Sequence, residues 1–365
     1  MTSRRAFLIG GISVATVATL PRLANAGEFA PAPGAWRNFR LETTLEVQQS
    51  AGAVQAWIPL PAFNQPAWIR SGDSSWTTNA QSARLVTAGG SGAQMLAVQW
   101  RDGEAAPKIV VASTFATRDR AVDLAKPVPV AALSADERQR YLAPTDLIPT
   151  DGIVKAASDR ITGNAGSDLE KTRAVYDWVV ENTFRDGATR GCGTGNIVSM
   201  LQTGFLGGKC ADLNALFVGL LRAAGVPARD IYGLRVAPSK FGYKSLGANS
   251  EIVTKAQHCR AEVYLNDFGW VPMDPADVRK VALEEPPGKL AMNDEKVVAA
   301  RKTLFGAWEG NWLAYNDAHD VVLPGARGPK LGFLMYPQAE VAGVRLDCLD
   351  PDKFRYSIKS TEVAI

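Results

Sequence analysis

The sequence predicts an α+β fold in which an antiparallel β unit precedes a mixed helical and stranded unit, and three observations carry that expectation. Residues 36–61 alternate apolar and polar side chains, through Phe39, Leu41, Thr43 and Leu45 and again through Val54, Ala56 and Ile58, the period of half-buried strands. Past the Pro- and Ala-containing stretch at 126–133 the apolar positions recur instead at helical spacing. Strand-like runs then return at 230–236, 259–265 and 270–273.

Taken in order, further strand-like runs at 84–87, 94–100 and 108–117 are separated by glycine-rich turns at 89–92 and 102–103, so 27–135 reads as an N-terminal antiparallel β domain. Segments 153–161 and 167–182 read as helices. In the second, Ser167 and Glu170 stand at capping-box spacing, and Val175, Trp178 and Val179 share a face. The strongest helix is 211–224, where Leu213, Leu216, Phe217, Leu220 and Leu221 form one broad apolar face and Gly225-Val226-Pro227 stops the run. These elements place a core at 136–285. Residues 286–365 are expected to form a C-terminal extension packed on that core, with strands near 332–336 and 353–358. Trp308, Trp312 and Tyr315 recur there at helical spacing and should pack the extension down, an aromatic rim of a substrate groove being the alternative.

An apolar fraction of 46%, a charged fraction of 21% and a net charge of +3 over 365 residues describe an ordinary globular protein. No basic stripe argues for nucleic acid or an anionic membrane surface as partner. Ser3-Arg4-Arg5-Ala6-Phe7-Leu8 resembles a twin-arginine export motif and precedes the uncharged apolar stretch 9–20 and the small residues Ala24-Asn25-Ala26. That stretch is too short to span a bilayer. Residues 1–26 are therefore expected to be a signal peptide read by the twin-arginine machinery and removed before Gly27, delivering a periplasmic or secreted protein. Four cysteines, Cys192, Cys210, Cys259 and Cys348, are too few for a disulfide scaffold, although an oxidising compartment permits one bridge.

Gly207-Gly208-Lys209-Cys210 directly precedes the strongest helix, which puts the Cys210 sulfur at a helix N-terminus, where unsatisfied N–H groups and the helix dipole favour a thiolate. The alternative is a buried structural cysteine. One of only two histidines, His258, opens a strand that turns at Asn266-Asp267-Phe268-Gly269 and returns through Trp270 to Asp274. A hairpin about that turn brings Asp274 close to the residue opposite His258, near enough for its carboxylate to accept from one imidazole nitrogen while the other faces Cys210. Nucleophile, base and orienting carboxylate in series are what thiol acyl transfer requires.

Gly208-Lys209-Cys210 with its helix, Leu221-Arg222-Ala223-Ala224-Gly225-Val226-Pro227-Ala228-Arg229, the strand from His258 to Tyr264, and Gly269-Trp270-Val271-Pro272-Met273-Asp274-Pro275 together resemble the core of the transglutaminase-like superfamily, in order and spacing. The resemblance covers roughly 165–280. It implies a papain-like fold, a Cys210/His258/Asp274 triad, no cofactor and a peptide or protein substrate, with a cell-envelope peptide as one candidate. Arg260 departs from the pattern, since an aromatic residue often stands two positions after the histidine. The superfamily includes cross-linking transglutaminases, cysteine peptidases, amidases and catalytically dead scaffolds. The expected reaction is hydrolysis of an amide or peptide bond through a thioester on Cys210, with glutamine cross-linking and a non-catalytic envelope-binding module as alternatives.

Other constellations read more plainly. Gly191-Cys192-Gly193-Thr194-Gly195 lacks the Gly-Lys-Ser/Thr ending of a phosphate loop and is expected to cap a short helix at 196–203. No Cys-x-x-Cys pair exists, and His258 and Cys259 are expected to point to opposite strand faces, so Cys192, Cys210, His258 and Cys259 are not read as a metal site. His319, in Asn316-Asp317-Ala318-His319-Asp320, is the rival general base.

Overall fold

Alternation along Arg37–Val47 buries every second side chain, and this strand lies inside a four-stranded antiparallel sheet between Lys108–Thr117 and Phe354–Val363, with Ile69–Thr78 beyond. The computed structural model describes residues 28–48, 52–89, 92–350 and 354–364. The expected signal peptide and its Gly27 junction lie outside them. A second, five-stranded sheet centres on Val54–Pro59, flanked by Gln94–Gln99 and Ser82–Thr87 on one side and by Gln338–Val341 and Val344–Arg345 on the other. Leu45, Val54, Ile58, Leu96, Ile109 and Val111 meet in one apolar cluster. Ile69–Thr78 escapes sequence reading because an edge strand rich in serine and threonine shows no alternation of apolar residues.

The middle of the chain forms an antiparallel sheet in the order Gly269–Met273, Gln257–Leu265, Ala228–Arg235, Trp312–Asn316. Helices Gly152–Thr162 and Asp168–Asn182 pack against helix Cys210–Ala223, which itself lies on the sheet. The second of these begins with the expected capping box between Ser167 and Glu170. Every residue of Cys210–Ala223 is buried. The apolar face legible in the sequence is thus only part of what this central helix conceals, since sheet and helices enclose it all round. No helix among the described residues is long and apolar enough to cross a membrane. The molecule is α+β.

Residues 286–365 contribute a strand to each of the three larger sheets. Trp312–Asn316 extends the middle sheet, Gln338–Val341 joins Val54–Pro59, and Phe354–Val363 joins Arg37–Val47. The helical spacing read for Trp308, Trp312 and Tyr315 is corrected: Ala307–Trp308 and Trp312–Asn316 are strands. Gly310 lies between them, pressed against the backbone of Arg118 and Asp119 where a Cβ would not fit, so the four-residue spacing is a bend and not a helical turn. Both tryptophans are fully buried and form no groove rim. Trp312 stacks on Trp68 at 5.9 Å and Trp308 meets Trp68 edge-on at 5.2 Å, which fastens the N-terminal β unit to the middle sheet. Trp68→Ala should cost about 3–5 kcal/mol by emptying this joint. Chemical denaturation of the variant checks it: the midpoint should fall while the transition at both units stays coincident.

Candidate active site

The local sequence before Cys210 is shaped for close approach. A Cβ at Gly208 would overlap Asp212, and one at Gly207 would overlap the Phe184 ring. Asp212, in the first turn of helix Cys210–Ala223, accepts from the Lys209 amide (3.0 Å) and from the amides of Thr194 and Gly195 (2.9 Å each). The loop expected only to cap the next helix is therefore moored to the Cys210 helix, while Asn196 supplies that cap. Gly193 has a positive φ of 90° and no room for a side chain against Asp212. The Ala211 amide donates to Cys192 O (2.9 Å), which holds Cys192 beside Cys210.

The hairpin pairs Ala261 with Met273 and Glu262 with Pro272, and this register carries Asp274 to the neighbourhood of Arg260 and His258. His258 Nε2 lies 2.8 Å from Asp274 Oδ2 and 3.4 Å from Asp277 Oδ2. Its other nitrogen, Nδ1, is left free of these carboxylates, on a side chain that lines the same cleft as Cys210. Asp274 is held in turn: it caps helix Pro275–Glu284 by accepting from the Asp277 amide (3.1 Å), and Asn214 Nδ2 donates to it (3.3 Å). Asn214 Nδ2 also donates to Cys259 O (2.9 Å), so one amide joins helix, strand and carboxylate. Arg235 Nη2 spans both oxygens of Asp277 (2.6 and 2.7 Å), and Trp312 Nε1 donates to His258 O (2.9 Å).

These contacts set the charges. Burial and the Arg235 guanidinium disfavour the His258 imidazolium, yet Asp277 and Asp274 outweigh them and raise its pKa to about 9. Asp277 is held well below the usual carboxylate range, burial being overcome by Arg235 and then His258. Burial, with repulsion from Asp277, pushes Asp274 up. Cys210 is held well below the usual thiol range by the neighbouring Cys192 and Cys259 thiols and then by His258, against the opposing effect of burial. Cys192, mainly through its nearness to Cys210 and with its own thiol donating to Gln257 O (3.3 Å), and Cys259, mainly through burial, are pushed well up.

Strand alternation separates Cys259 from His258, yet Cys259 packs in the same buried cluster as Cys210 while His258 shares the cleft with it. The sulfurs of Cys192 and Cys259 flank Cys210 without closing around a common point. Among the described residues the group that brings ligand atoms within 4.8 Å of one another is His258, Asp274 and Asp277, where Arg235 already supplies a counter-charge. The four cysteines are all free thiols, Cys348 lying on the cleft wall.

His319 is buried elsewhere, 3.5 Å from the Tyr232 hydroxyl, and burial pushes its pKa down to about 3, which leaves it a weak base outside the cleft. Arg260 is likewise absent from the cleft lining: it donates to Glu309 O (2.9 Å) and covers the faces of Trp308 and Trp312. Cys210 and His258 open into a cavity of about 760 Å³, bounded also by Cys192, Gln257, Tyr336 and Tyr356. Sequence reading did not single out Asn214, Asp212 or Asp277, although Asn214 follows Cys210 at one helical turn and Asp277 follows Asp274 at i+3. Arg235 and Cys192 carry no such signal. Limiting iodoacetamide at neutral pH should label Cys210 first and leave Cys192 and Cys259 largely unreacted, as peptide mapping will show; earlier labelling of either neighbour would contradict the thiolate at Cys210.

Residues 155–275 match the model of the transglutaminase-like superfamily. The chain is 37% identical over 329 residues to an uncharacterised protein of Haemophilus influenzae, covering 86% of this chain and 88% of that one. It is 27% identical over 139 residues to the uncharacterised protein YebA of Bacillus subtilis, covering 37% of this chain and 19% of that one. Among solved structures it is similar to a Cytophaga hutchinsonii protein provisionally described as a cysteine protease, with a TM-score of 0.55, 12% identity, and coverage of 91% of this chain and 92% of that one. With its core blocks in order, a match to the family model and a relative aligned along most of its length, the chain belongs to the transglutaminase-like superfamily.

Proposed function

We propose that this protein is a cysteine-dependent acyl-transfer enzyme that hydrolyses an amide or peptide bond through a thioester on Cys210. The observation that supports the reading is the convergence of Cys210, His258 and Asp274: His258 Nε2 lies 2.8 Å from Asp274 Oδ2, and His258 and Cys210 line one cleft. In the first step the thiolate attacks the substrate carbonyl, and the imidazolium of His258 gives its proton to the departing amine. In the second, His258 as neutral imidazole takes a proton from water, whose oxygen attacks the thioester and releases the acid. Asp274 orients the ring and steadies its charged form. The backbone N–H of Cys210 would supply one donor to the oxyanion. Hydrolysis is favoured over transfer to an amine because transfer needs a site that excludes water and holds a second substrate.

Cys210→Ala and His258→Ala should each abolish turnover, and the double variant should be no worse than either one. Asp274→Asn should lower the rate by roughly two to four orders of magnitude. Rates of amide hydrolysis and of amine incorporation, measured beside thermal melts, check this: an active Cys210→Ala protein, or variants that lose stability without losing any reaction, would sink the mechanism.

The working state pairs a thiolate with an imidazolium, so the sign of the pH response follows. Activity should fall on the alkaline side as His258, raised to about 9, loses its proton, and on the acid side as Cys210 gains one below the usual thiol range. Asp277→Asn removes a charge that raises His258 and should move the alkaline limb of kcat/KM to lower pH; an unmoved limb would show that another group titrates there.

Export completes the proposal: the enzyme would act in the periplasm or outside the cell after removal of residues 1–26. Replacing Arg4 and Arg5 by lysine should hold it in the cytoplasm, as fractionation will report.

A further inference from the structure

The cleft that contains Cys210 is lined by seven basic side chains and by no aspartate or glutamate. A chain whose net charge is only +3 has therefore gathered cations at one place. Arg235 and Arg190 are paired, with Asp277 at 2.6 Å and Asp347 at 2.9 Å, and Arg185 is paired with Glu284, but none of those carboxylates faces the cleft. Lys280 has Glu284 only at 3.8 Å. Lys209, Lys255 and Arg355 have no carboxylate within 4.0 Å among the described residues, although all three line the cavity. The reacting pair does not cancel this excess, since a thiolate and an imidazolium sum to no net charge. Burial, and then the Arg235 guanidinium, push Lys280 down to about 8.

We infer that the acyl donor is an acidic peptide, with one or more carboxylates flanking the carbonyl that Cys210 attacks and meeting Lys255 and Arg355 at the mouth of the cleft. The inference rests on Cys210 being the nucleophile and adds the chemical class of its substrate. Geometry assigns the parts. Lys209 immediately precedes Cys210, and Lys255 lies three residues before His258 on the segment leading into its strand. Arg355 comes from the last strand, whose neighbours Phe354 and Tyr356 line the same wall. Cations thus stand on the cleft walls around the sulfur. In a cleft with low-dielectric walls their fields add and concentrate anions. A cavity of about 760 Å³ holds a peptide segment and not only a single residue.

Iodoacetate and iodoacetamide differ chiefly in carrying a carboxylate or an amide, and so report the field at Cys210 without a known substrate. Their rate ratio at Cys210, divided by the same ratio for free cysteine, should exceed unity by about five-fold or more at low ionic strength and collapse toward unity in 0.5 M salt at roughly a 4 Å screening length. Lys255→Ala and Arg355→Ala should each lower it about two- to five-fold while leaving the iodoacetamide rate within two-fold. Triglutamate should protect Cys210 from iodoacetamide, and triglutamine should not. A ratio near unity with Cys210 still labelled first would overturn the acidic-substrate inference and leave the nucleophile standing. A raised ratio indifferent to both variants would assign the attraction to groups other than Lys255 and Arg355 and overturn it too, as would stronger protection by a short single-stranded oligonucleotide than by triglutamate. If Cys210 is not the first residue labelled, the nucleophile reading itself fails.

Discussion

The hydrogen bond between His258 and Asp274 is the constraint on which the site depends, because both groups are buried and neither can be left without its partner. Breaking a buried ion pair by deleting one member costs about 3–5 kcal/mol, since the charge that stays behind is neither hydrated nor matched. Here the cost is spread through an arrangement in which Arg235 holds Asp277, Asp277 and Asp274 flank His258, and Asn214 donates to Asp274. Arg260 Nε stands 3.7 Å from Asp274 as well. Strand Ala228–Arg235 brings the guanidinium, strand Gln257–Leu265 the imidazole, and the start of helix Pro275–Glu284 both acids. A shift of register by one residue in the hairpin would turn the carboxylate away from the ring and strand these charges in the core.

Burial of the whole Cys210–Ala223 helix serves the same end. A helix enclosed by sheet and helices cannot move its N-terminus independently, so the sulfur keeps its position relative to the ring. Two further thiols lie in the same cluster, and the consequence is divided unequally: Cys210 is made easier to ionise while Cys192 and Cys259 are made harder. The Asp212 carboxylate, by binding the amides on both sides of this arrangement, keeps the Cys192 loop from drifting off.

The walls of the cleft come from parts of the chain that lie far apart. Tyr336, Cys348 and Phe354 to Tyr356 close one side because the last strand returns to pair with Arg37–Val47, and the loop at 248–256 closes another through the bridge from Ile252 to Lys359. The N-terminal β unit thereby supports the cleft side of the molecule, and the tryptophan joint at Trp68, Trp308 and Trp312 sets where that support stands against the sheet that carries His258.

How much of this was legible follows from the range of the forces involved. Strand alternation at Arg37–Val47, the capping box at Ser167, the apolar period of the Cys210 helix and the tight turn before Gly269 are local, so they can be read from neighbouring residues, and the order of the glycine, cysteine, histidine and aspartate blocks identified the superfamily. Asn214 and Asp277 were within reach of the same reasoning, each at helical spacing from a residue already singled out. By itself the sequence determined most of the central elements, the family and the candidate residues for a thiol mechanism. Tertiary structure alone decided that Cys192 and Cys259 cluster with Cys210, that Arg235 completes the charge balance, that Trp308 and Trp312 belong to strands, and that a nearly neutral chain has a cationic cleft. The reason is physical: net charge and spacing along the chain average over residues, whereas a buried charge or thiol responds only to the few groups within hydrogen-bonding distance, and those are chosen by how distant strands pack.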